Sequence, residues 1–214
     1  MEQKKIPFWE NSYKNDNISA FGIKPNPEVE QFIDLFNEKG RVLEAGCGEA
    51  KNAFYLIENG FKNVSAFDLS ENAIKKVHKI AEKRNIQINA FVQDLCRFEW
   101  EYNYDLVISF GTLHFVHRAG WHKFINDAKE HTNTGGIHVI QIFTDKVPAS
   151  DDIKDFAVGL AKEGELLELY EDWEIINHKE FVLEDEHPGA PKHFHAINKI
   201  VAIKKQSNSN LKHQ

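Results

Sequence analysis

The sequence predicts an α/β fold, in which a mostly parallel sheet of seven strands is covered by helices on both faces and ends in an antiparallel edge hairpin. Short apolar runs alternate with amphipathic runs between residues 41 and 143, a pattern typical of βαβ units. Glycines stand in this alternation where helices are expected to end. Two extended runs near the C-terminus have no helix between them and are expected to pair as a hairpin. Together these observations indicate a doubly wound sheet.

The elements follow in order along the chain. A helix is predicted over residues 29–39, after the Pro25-Asn26-Pro27 breaker and before Gly40. Strands and helices then alternate: strand Arg41–Ala45, helix Ala50–Asn59, strand Val64–Phe67, helix Ser70–Arg84, strand Ile88–Val92, strand Tyr104–Phe110, helix Trp121–His131 and strand Ile137–Phe143. A helix with Leu166, Leu167 and Leu169 precedes the two extended runs, Glu174–Leu183 and Ala196–Lys204. Sheets of this kind bind ligands beyond the carboxyl ends of their strands, where the strand order reverses.

The composition favours one folded domain. The chain has 214 residues, of which 42% are hydrophobic and 28% are charged, values typical of a globular domain. We expect a single domain over residues 1–205, with an aromatic N-terminal arm at about residues 6–25 and a disordered tail at 206–214. Neither a long apolar span nor a secretory leader is visible, so a cytoplasmic location without a membrane partner is expected.

Charge and cysteine content narrow the choice of partners. The net charge of −7 lacks the basic footprint of nucleic-acid binders, so a small-molecule partner is favoured over nucleic acid. Cys47 and Cys96 have no paired spacing, so we expect two reduced thiols and neither a disulfide framework nor a cysteine zinc site. A monomer or a homodimer fits this composition.

The first predicted strand leads into a glycine turn that is suited to a nucleotide. Gly46 and Gly48 allow a sharp turn and a close backbone approach, and the helix that follows offers free N–H groups. A dinucleotide fingerprint would have its third glycine at position 51, which is Lys51 here, so NAD is disfavoured. The two glycines also fit a plain turn between a strand and a helix.

Three acids accompany the turn. Glu44 precedes it, Asp68 ends the second strand and Asp94 follows the third. A carboxylate after the second strand accepts hydrogen bonds from ribose hydroxyls, and one after the third, or its neighbour, suits an adenine amine. The alternatives are that Asp68 only caps the helix near Ser70 and that Asp94 is a surface acid.

These motifs resemble the class I S-adenosylmethionine-dependent methyltransferases. The resemblance rests on four segments in order: Glu44–Ala50, Phe67–Ser70, Gln93–Leu95 and Tyr104–Ser109. It implies a Rossmann-like fold, S-adenosylmethionine as cofactor, and a set of binding residues: Tyr13, Glu44, Gly46, Gly48, Lys51, Asp68, Leu69, Asp94, Leu95 and Ser109. One departure is Ala50, which stands at the third glycine of the usual turn of that family.

A narrower resemblance covers most of the chain. Lys162–Leu166, Tyr170–Glu174, Cys47-Gly48 with Lys51-Asn52, and the loop at His187 are similar to the tellurite-resistance methyltransferases. This implies methyl transfer to an oxyanion of tellurium or selenium, or to a small thiol. Another small oxygen or nitrogen acceptor, or a non-catalytic S-adenosylmethionine-binding regulator, remains an alternative.

Histidines are the candidate catalytic residues. His187 stands where the tellurite branch places a polar substrate residue, His193 and His195 lie two apart and share one face of a strand, and His114 follows the fourth strand. With His187, the pair could also form a three-histidine metal site, line an anion pocket or fill an edge strand. Methyl displacement from a sulfonium has no leaving-group charge to neutralise, so no metal is expected.

Overall fold

The computed structural model describes residues 5–187 and 190–206, and seven strands in these ranges form one sheet. The strands are β1 Arg41–Ala45, β2 Asn63–Asp68, β3 Asn89–Val92, β4 Tyr104–Phe110, β5 Thr132–Thr144, β6 Glu174–His187 and β7 Ala190–Ile203. Their order is β3-β2-β1-β4-β5-β7-β6. The first five are parallel, whereas β7 pairs antiparallel with β5 and with β6. The α/β fold and the edge hairpin expected from the sequence are confirmed.

Helices cover both faces of this sheet. They are α1 Phe8–Tyr13, α2 Pro27–Gln31, α3 Lys51–Glu58, α4 Glu71–Arg84, α5 Arg118–Glu130 and α6 Glu165–Leu169. Two apolar clusters separate the layers, and adjacent strand residues alternate between them: Val42 packs in the cluster of α3 and α4, and Leu43 in that of α5 and α6. A strand buried on both faces needs consecutive apolar residues, which explains the unbroken apolar runs in the sequence. None of the described helices combines the length and apolar character that crossing a membrane would require.

The strand order places one crevice at the centre of the sheet. From β1 the chain proceeds outward through β2 and β3, and then returns to β4 on the other side of β1. The carboxyl ends of β1 and β4 therefore diverge at a point where the connections leave in opposite directions. This is the position at which doubly wound sheets bind ligands.

The predicted helix over residues 29–39 is wrong. The chain forms α2, leaves the helical region at Phe32, and then makes a single 3₁₀ turn over Ile33–Leu35. Phe36 is already extended, with φ −83° and ψ 139°, because the chain turns there toward the start of β1. Val29, Phe32, Ile33 and Phe36 still pack against one cluster. The helical spacing of these apolar residues was therefore correct, although the continuous helix was not.

The C-terminal strands are longer than predicted. β5 begins at Thr132 and contains Gly135 and Gly136, with a register shift against β4. β6 extends to His187 and β7 starts at Ala190, so His193 and His195 belong to β7. The predicted tail lies, apart from Gln206, outside the described residues.

One buried histidine makes the fold sensitive to acid. The ring of His138 on β5 lies 2.8 Å from the Thr132 hydroxyl and 2.7 Å from the Tyr170 hydroxyl. Thr132 donates its own hydrogen to the Ala128 carbonyl at 2.6 Å, so it accepts from the neutral His138 ring. Burial lowers the pKa of His138 to about 3, and Lys129 and Lys204 lower it further.

His138→Gln should weaken the loss of stability in acid. A folded-state pKa below the ordinary value of 6.5 gives stability that is present above pH 6.5 and lost as the pH falls toward 3. For one proton, the free energy of unfolding then changes by about 1.4 kcal/mol per pH unit. Urea denaturation between pH 6.5 and 4 should show this slope reduced in the variant and unchanged in His78→Gln, a surface control on α4. Equal slopes in all three proteins would refute the assignment.

Candidate functional site

A cavity of about 760 Å³ opens at the carboxyl ends of β1 and β4. Its volume is within the usual range for small-molecule sites. The walls come from the strand ends, from the N-terminal arm over residues 6–25, and from the β6–β7 hairpin. The expected crevice is therefore a pocket with two covers.

The turn after β1 forms the floor of the cavity. Gly46 and Gly48 both have left-handed backbones, with φ +66° and +53°. A Cβ at position 46 would lie 2.2 Å from the Thr112 side chain, so glycine is required there. The Thr112 hydroxyl donates to the Gly46 carbonyl at 3.0 Å, which links the segment after β4 to the end of β1. The sequence did not indicate Thr112, because this link spans the sheet.

Asp68 is held by the backbone of two loops. Its Oδ2 accepts the Gly48 N–H at 2.8 Å and its Oδ1 accepts the Ser70 N–H at 2.9 Å. Burial raises the pKa of Asp68, and these two hydrogen bonds oppose the rise. The N-cap of α4 is Ser70, whose hydroxyl accepts the Ala73 N–H, so Asp68 is not used up as a cap. A carboxylate has about four acceptor positions, so each oxygen can still accept from a ligand.

Glu44 and Lys51 line the cavity, but the chain itself engages both. The Glu44 carboxylate accepts from the Asn52 amide at 2.7 Å and from the Ala53 N–H at 2.8 Å, and thus fixes the start of α3. Burial raises the pKa of Glu44 to about 7 despite these bonds. The Lys51 ammonium donates to the Phe21 carbonyl of the arm at 3.0 Å. These two residues shape the wall and position its other groups.

The remaining predicted cofactor residues are divided between the wall and the core. Leu69, Asp94 and Leu95 line the cavity. Asp94 also caps the 3₁₀ turn over Leu95–Arg97 by accepting the Cys96 N–H at 2.9 Å. Ser109 is fully buried within β4 and does not line the cavity, because the wall begins at the next residue, Phe110.

A buried lysine holds the aromatic arm over the cavity. Lys76 on α4 donates to the carbonyls of Ser12 at 2.9 Å, Asn15 at 2.8 Å and Ile18, and pairs with Glu49 at 2.6 Å. This anchoring places Phe8, Trp9 and Tyr13 in the cavity wall. Tyr13 is buried, and burial raises its pKa well above the ordinary value, with Asp68 adding to the rise.

A stack of three rings forms the opposite wall. Phe143 lies between His114 and His195, with ring centroids 4.1 and 4.4 Å away. His114 accepts the Phe143 N–H on Nδ1 at 3.4 Å, so the neutral ring carries its proton on Nε2. Burial, with a contribution from His195, lowers the pKa of His114 to about 3. Within the described residues its Nε2 has no hydrogen-bond partner, which leaves a buried donor for a ligand.

Alternate residues of β7 continue this wall. His195, Ile197 and Lys199 all line the cavity, as the period of two in a strand requires. The Lys199 ammonium pairs with the buried Glu28 carboxylate at 3.1 Å. Extending the predicted strand back to His193 would have indicated Lys199, whereas no local signal indicates Glu28.

The candidate catalytic histidines do not all meet at one point. His193 and His195 have their Nε2 atoms 3.0 Å apart, and the His193 Nε2 lies 3.9 Å from Oδ2 of Asp152. His114 contacts this group only through the Phe143 stack. The side chain of His187 lies outside the described part of the chain. Asp152 was not predicted, since it lies in a polar stretch without periodicity.

Comparisons with known proteins agree with this geometry. The family model of tellurite resistance protein TehB matches residues 12–189. A curated relative from Haemophilus influenzae, named probable S-adenosyl-L-methionine-dependent methyltransferase TehB, is 34% identical over 142 residues, which are 65% of this chain and 48% of the relative. The chain thus spans about half the length of the curated relatives it matches first.

Solved structures give the same result. The crystal structure of TehB from Haemophilus influenzae superposes with a TM-score of 0.75 at 27% identity, over 87% of this chain and 64% of that one. Magnesium protoporphyrin IX methyltransferase from Synechocystis, solved with bound SAH, matches with a TM-score of 0.62 at 15% identity, over 83% and 80% of the two chains. At that identity the second match shows the fold alone.

Lys76→Met should destabilise the protein far more than Lys79→Met. Removing Lys76 leaves the Glu49 carboxylate buried without its cation, which typically costs about 3–5 kcal/mol. Lys79 makes an exposed pair with Asp16, and such pairs are worth about 1 kcal/mol or less. Urea denaturation measures both changes, and limited proteolysis should show the arm cleaved faster only in Lys76→Met. Similar stabilities of the two variants would contradict the anchoring role.

Proposed function

Because this chain belongs to the tellurite resistance protein TehB family, we propose that it binds S-adenosylmethionine in the cavity and transfers the methyl group to a small acceptor. The carboxylate of Asp68 carries this proposal. It stands at the end of β2, in contact with the glycine turn, and can accept from a ligand on both oxygens. This arrangement suits two adjacent ribose hydroxyls.

The other residues around the turn fit a nucleoside with an amino-acid tail. Gly46 and Gly48 bring the backbone close to the ligand, since neither has a side chain. Leu69 and Leu95 give apolar contacts for a base, beside the carboxylate of Asp94. Lys51 stands where a dinucleotide site would have its third glycine, and its contact with Phe21 fills that approach.

The protein's contribution to the chemistry is position and dryness. The bound sulfonium would supply an already activated methyl group. A direct displacement then requires the acceptor to be held in line at attack distance, with water excluded. The arm provides aromatic surfaces of Phe8, Trp9 and Tyr13 that exclude water and suit a cationic sulfonium.

The opposite wall suits an anionic acceptor. His114 offers a buried N–H donor on Nε2, and Lys199 brings a cation to the cavity. With its pKa near 3, His114 stays neutral at physiological pH and acts as a hydrogen-bond donor and not as a cation. An oxyanion of tellurium or selenium, or a thiolate, meets these requirements, and we propose this class of acceptor.

Asp68→Asn should weaken the binding of S-adenosylmethionine and of its demethylated product. The change removes the charge from the two ribose hydrogen bonds, which should cost about 1.5–3 kcal/mol, or roughly 10- to 150-fold in affinity. Calorimetric titration measures this directly, with the exposed Asp151→Asn as a matched control that keeps wild-type affinity. NAD should show no binding to any of the three proteins. Unchanged affinity in Asp68→Asn, or NAD binding to the wild type, would reject the cofactor assignment.

His114→Phe should lower turnover and leave cofactor affinity within about twofold. Phenylalanine preserves the ring stack but removes the Nε2–H donor, and a hydrogen bond to a charged group is worth about 1.5–3 kcal/mol, or roughly 10- to 150-fold in rate. Methyl transfer from labelled cofactor to tellurite, selenite and small thiols measures turnover. The proposal fails if the wild type methylates none of these acceptors, and the role of His114 fails if the variant turns over normally.

A further inference from the structure

Three side chains converge beside the cavity in a way the methyl-transfer chemistry does not require. They are Asp152, from the loop after β5, and His193 and His195 from β7. One ligand atom of each lies within 4.8 Å of the others. Asp152 and His195 also line the cavity.

Their spacing fits a shared metal ion. The two Nε2 atoms are 3.0 Å apart, and Oδ2 of Asp152 is 3.9 Å from the His193 Nε2. Bonds of about 2.0–2.2 Å from zinc to nitrogen or oxygen place ligand atoms of one ion about 3–4 Å from each other. The three atoms can therefore bind one ion with small adjustments of the side chains.

The protonation of His193 favours a ligand role. Its Nδ1 lies 2.7 Å from the Pro191 carbonyl, which only accepts, so Nδ1 carries the hydrogen. In the neutral ring, Nε2 then presents its lone pair toward His195 and Asp152. Donation of the second ring N–H to a backbone carbonyl is the usual support of a metal-bound histidine.

Burial distinguishes this group from ordinary surface histidines. The side chains of Asp152, His193 and His195 are only 7%, 11% and 6% exposed. A further carboxylate oxygen, Oδ2 of Asp185, lies 4.0 Å from the His195 Nε2. Placing acids and imidazoles together at low exposure is costly unless a partner of opposite charge joins them, and a divalent cation is such a partner.

We propose that Asp152, His193 and His195 form a binding site for one divalent transition-metal ion of the zinc type. Two imidazoles and one carboxylate are a common set for such ions, and three protein ligands leave coordination positions open. Because Asp152 and His195 belong to the cavity wall, an anion in the cavity can reach those positions. The site binds metal through the chain alone and does not depend on the proposed methyl transfer.

The test is a titration of the chelator-treated, dialysed full chain, without an affinity tag, in the absence of cofactor and acceptor. Calorimetry with Zn²⁺ should give one ion per chain, and Co²⁺ should develop a visible absorption band that Zn²⁺ abolishes. Asp152→Asn, His193→Gln and His195→Gln should each weaken binding by about tenfold or more. His78→Gln, a surface histidine on α4, serves as the control with wild-type affinity. Circular dichroism and thermal melts without metal establish that each variant is folded.

Two results would overturn the site. One is the absence of saturable Zn²⁺ binding by the wild type. The other is stoichiometric binding that persists in all three folded variants, which places the ion on other histidines. If a variant fails to fold, the Co²⁺ band of the wild type together with the two other variants decides the question.

Discussion

The hydrogen bonds from the Gly48 and Ser70 N–H groups to the Asp68 carboxylate determine how the rest of the site is arranged. They connect the turn after β1 to the turn after β2, and so bring the two strand ends into one surface. Gly48 must adopt a left-handed backbone for its N–H to point at Asp68. The Thr112–Gly46 hydrogen bond then attaches the segment after β4 to the same turn. Three loops are thereby held at the point where the strand order reverses.

Two covers turn this surface into a cavity, and each depends on a buried cation. Lys76 fixes the arm by satisfying three backbone carbonyls and the Glu49 carboxylate. Lys199 pairs with Glu28, and so ties the extended β7 to the start of α2. A dry, enclosed site for a direct displacement therefore rests on ion pairs far apart in sequence. Such pairs are worth most where water is excluded, which is also where the proposed chemistry needs them.

The sequence predicted the elements whose signals are local. Strands buried on both faces must be continuously apolar, so Val42-Leu43 and Leu106–Ile108 were recognisable, and the left-handed turn requires glycine at position 46. Longer-range features left no local trace: Asp152 lies in a polar loop, Glu28 meets Lys199 across the fold, and Lys76 reads as an ordinary lysine of an amphipathic helix. The helix over residues 29–39 failed because apolar spacing does not show where a chain turns toward its next strand.

The most direct test of this account is a crystal structure of the chain with S-adenosylhomocysteine. The account predicts the two ribose hydroxyls within hydrogen-bond distance of the Asp68 carboxylate, the backbone at Gly46 and Gly48 against the amino-acid tail, and the sulfur facing the wall of His114 and Phe143. Binding of the nucleoside elsewhere, such as the lysine-lined depression of Lys79 and Lys83 between α4 and the arm, would contradict it.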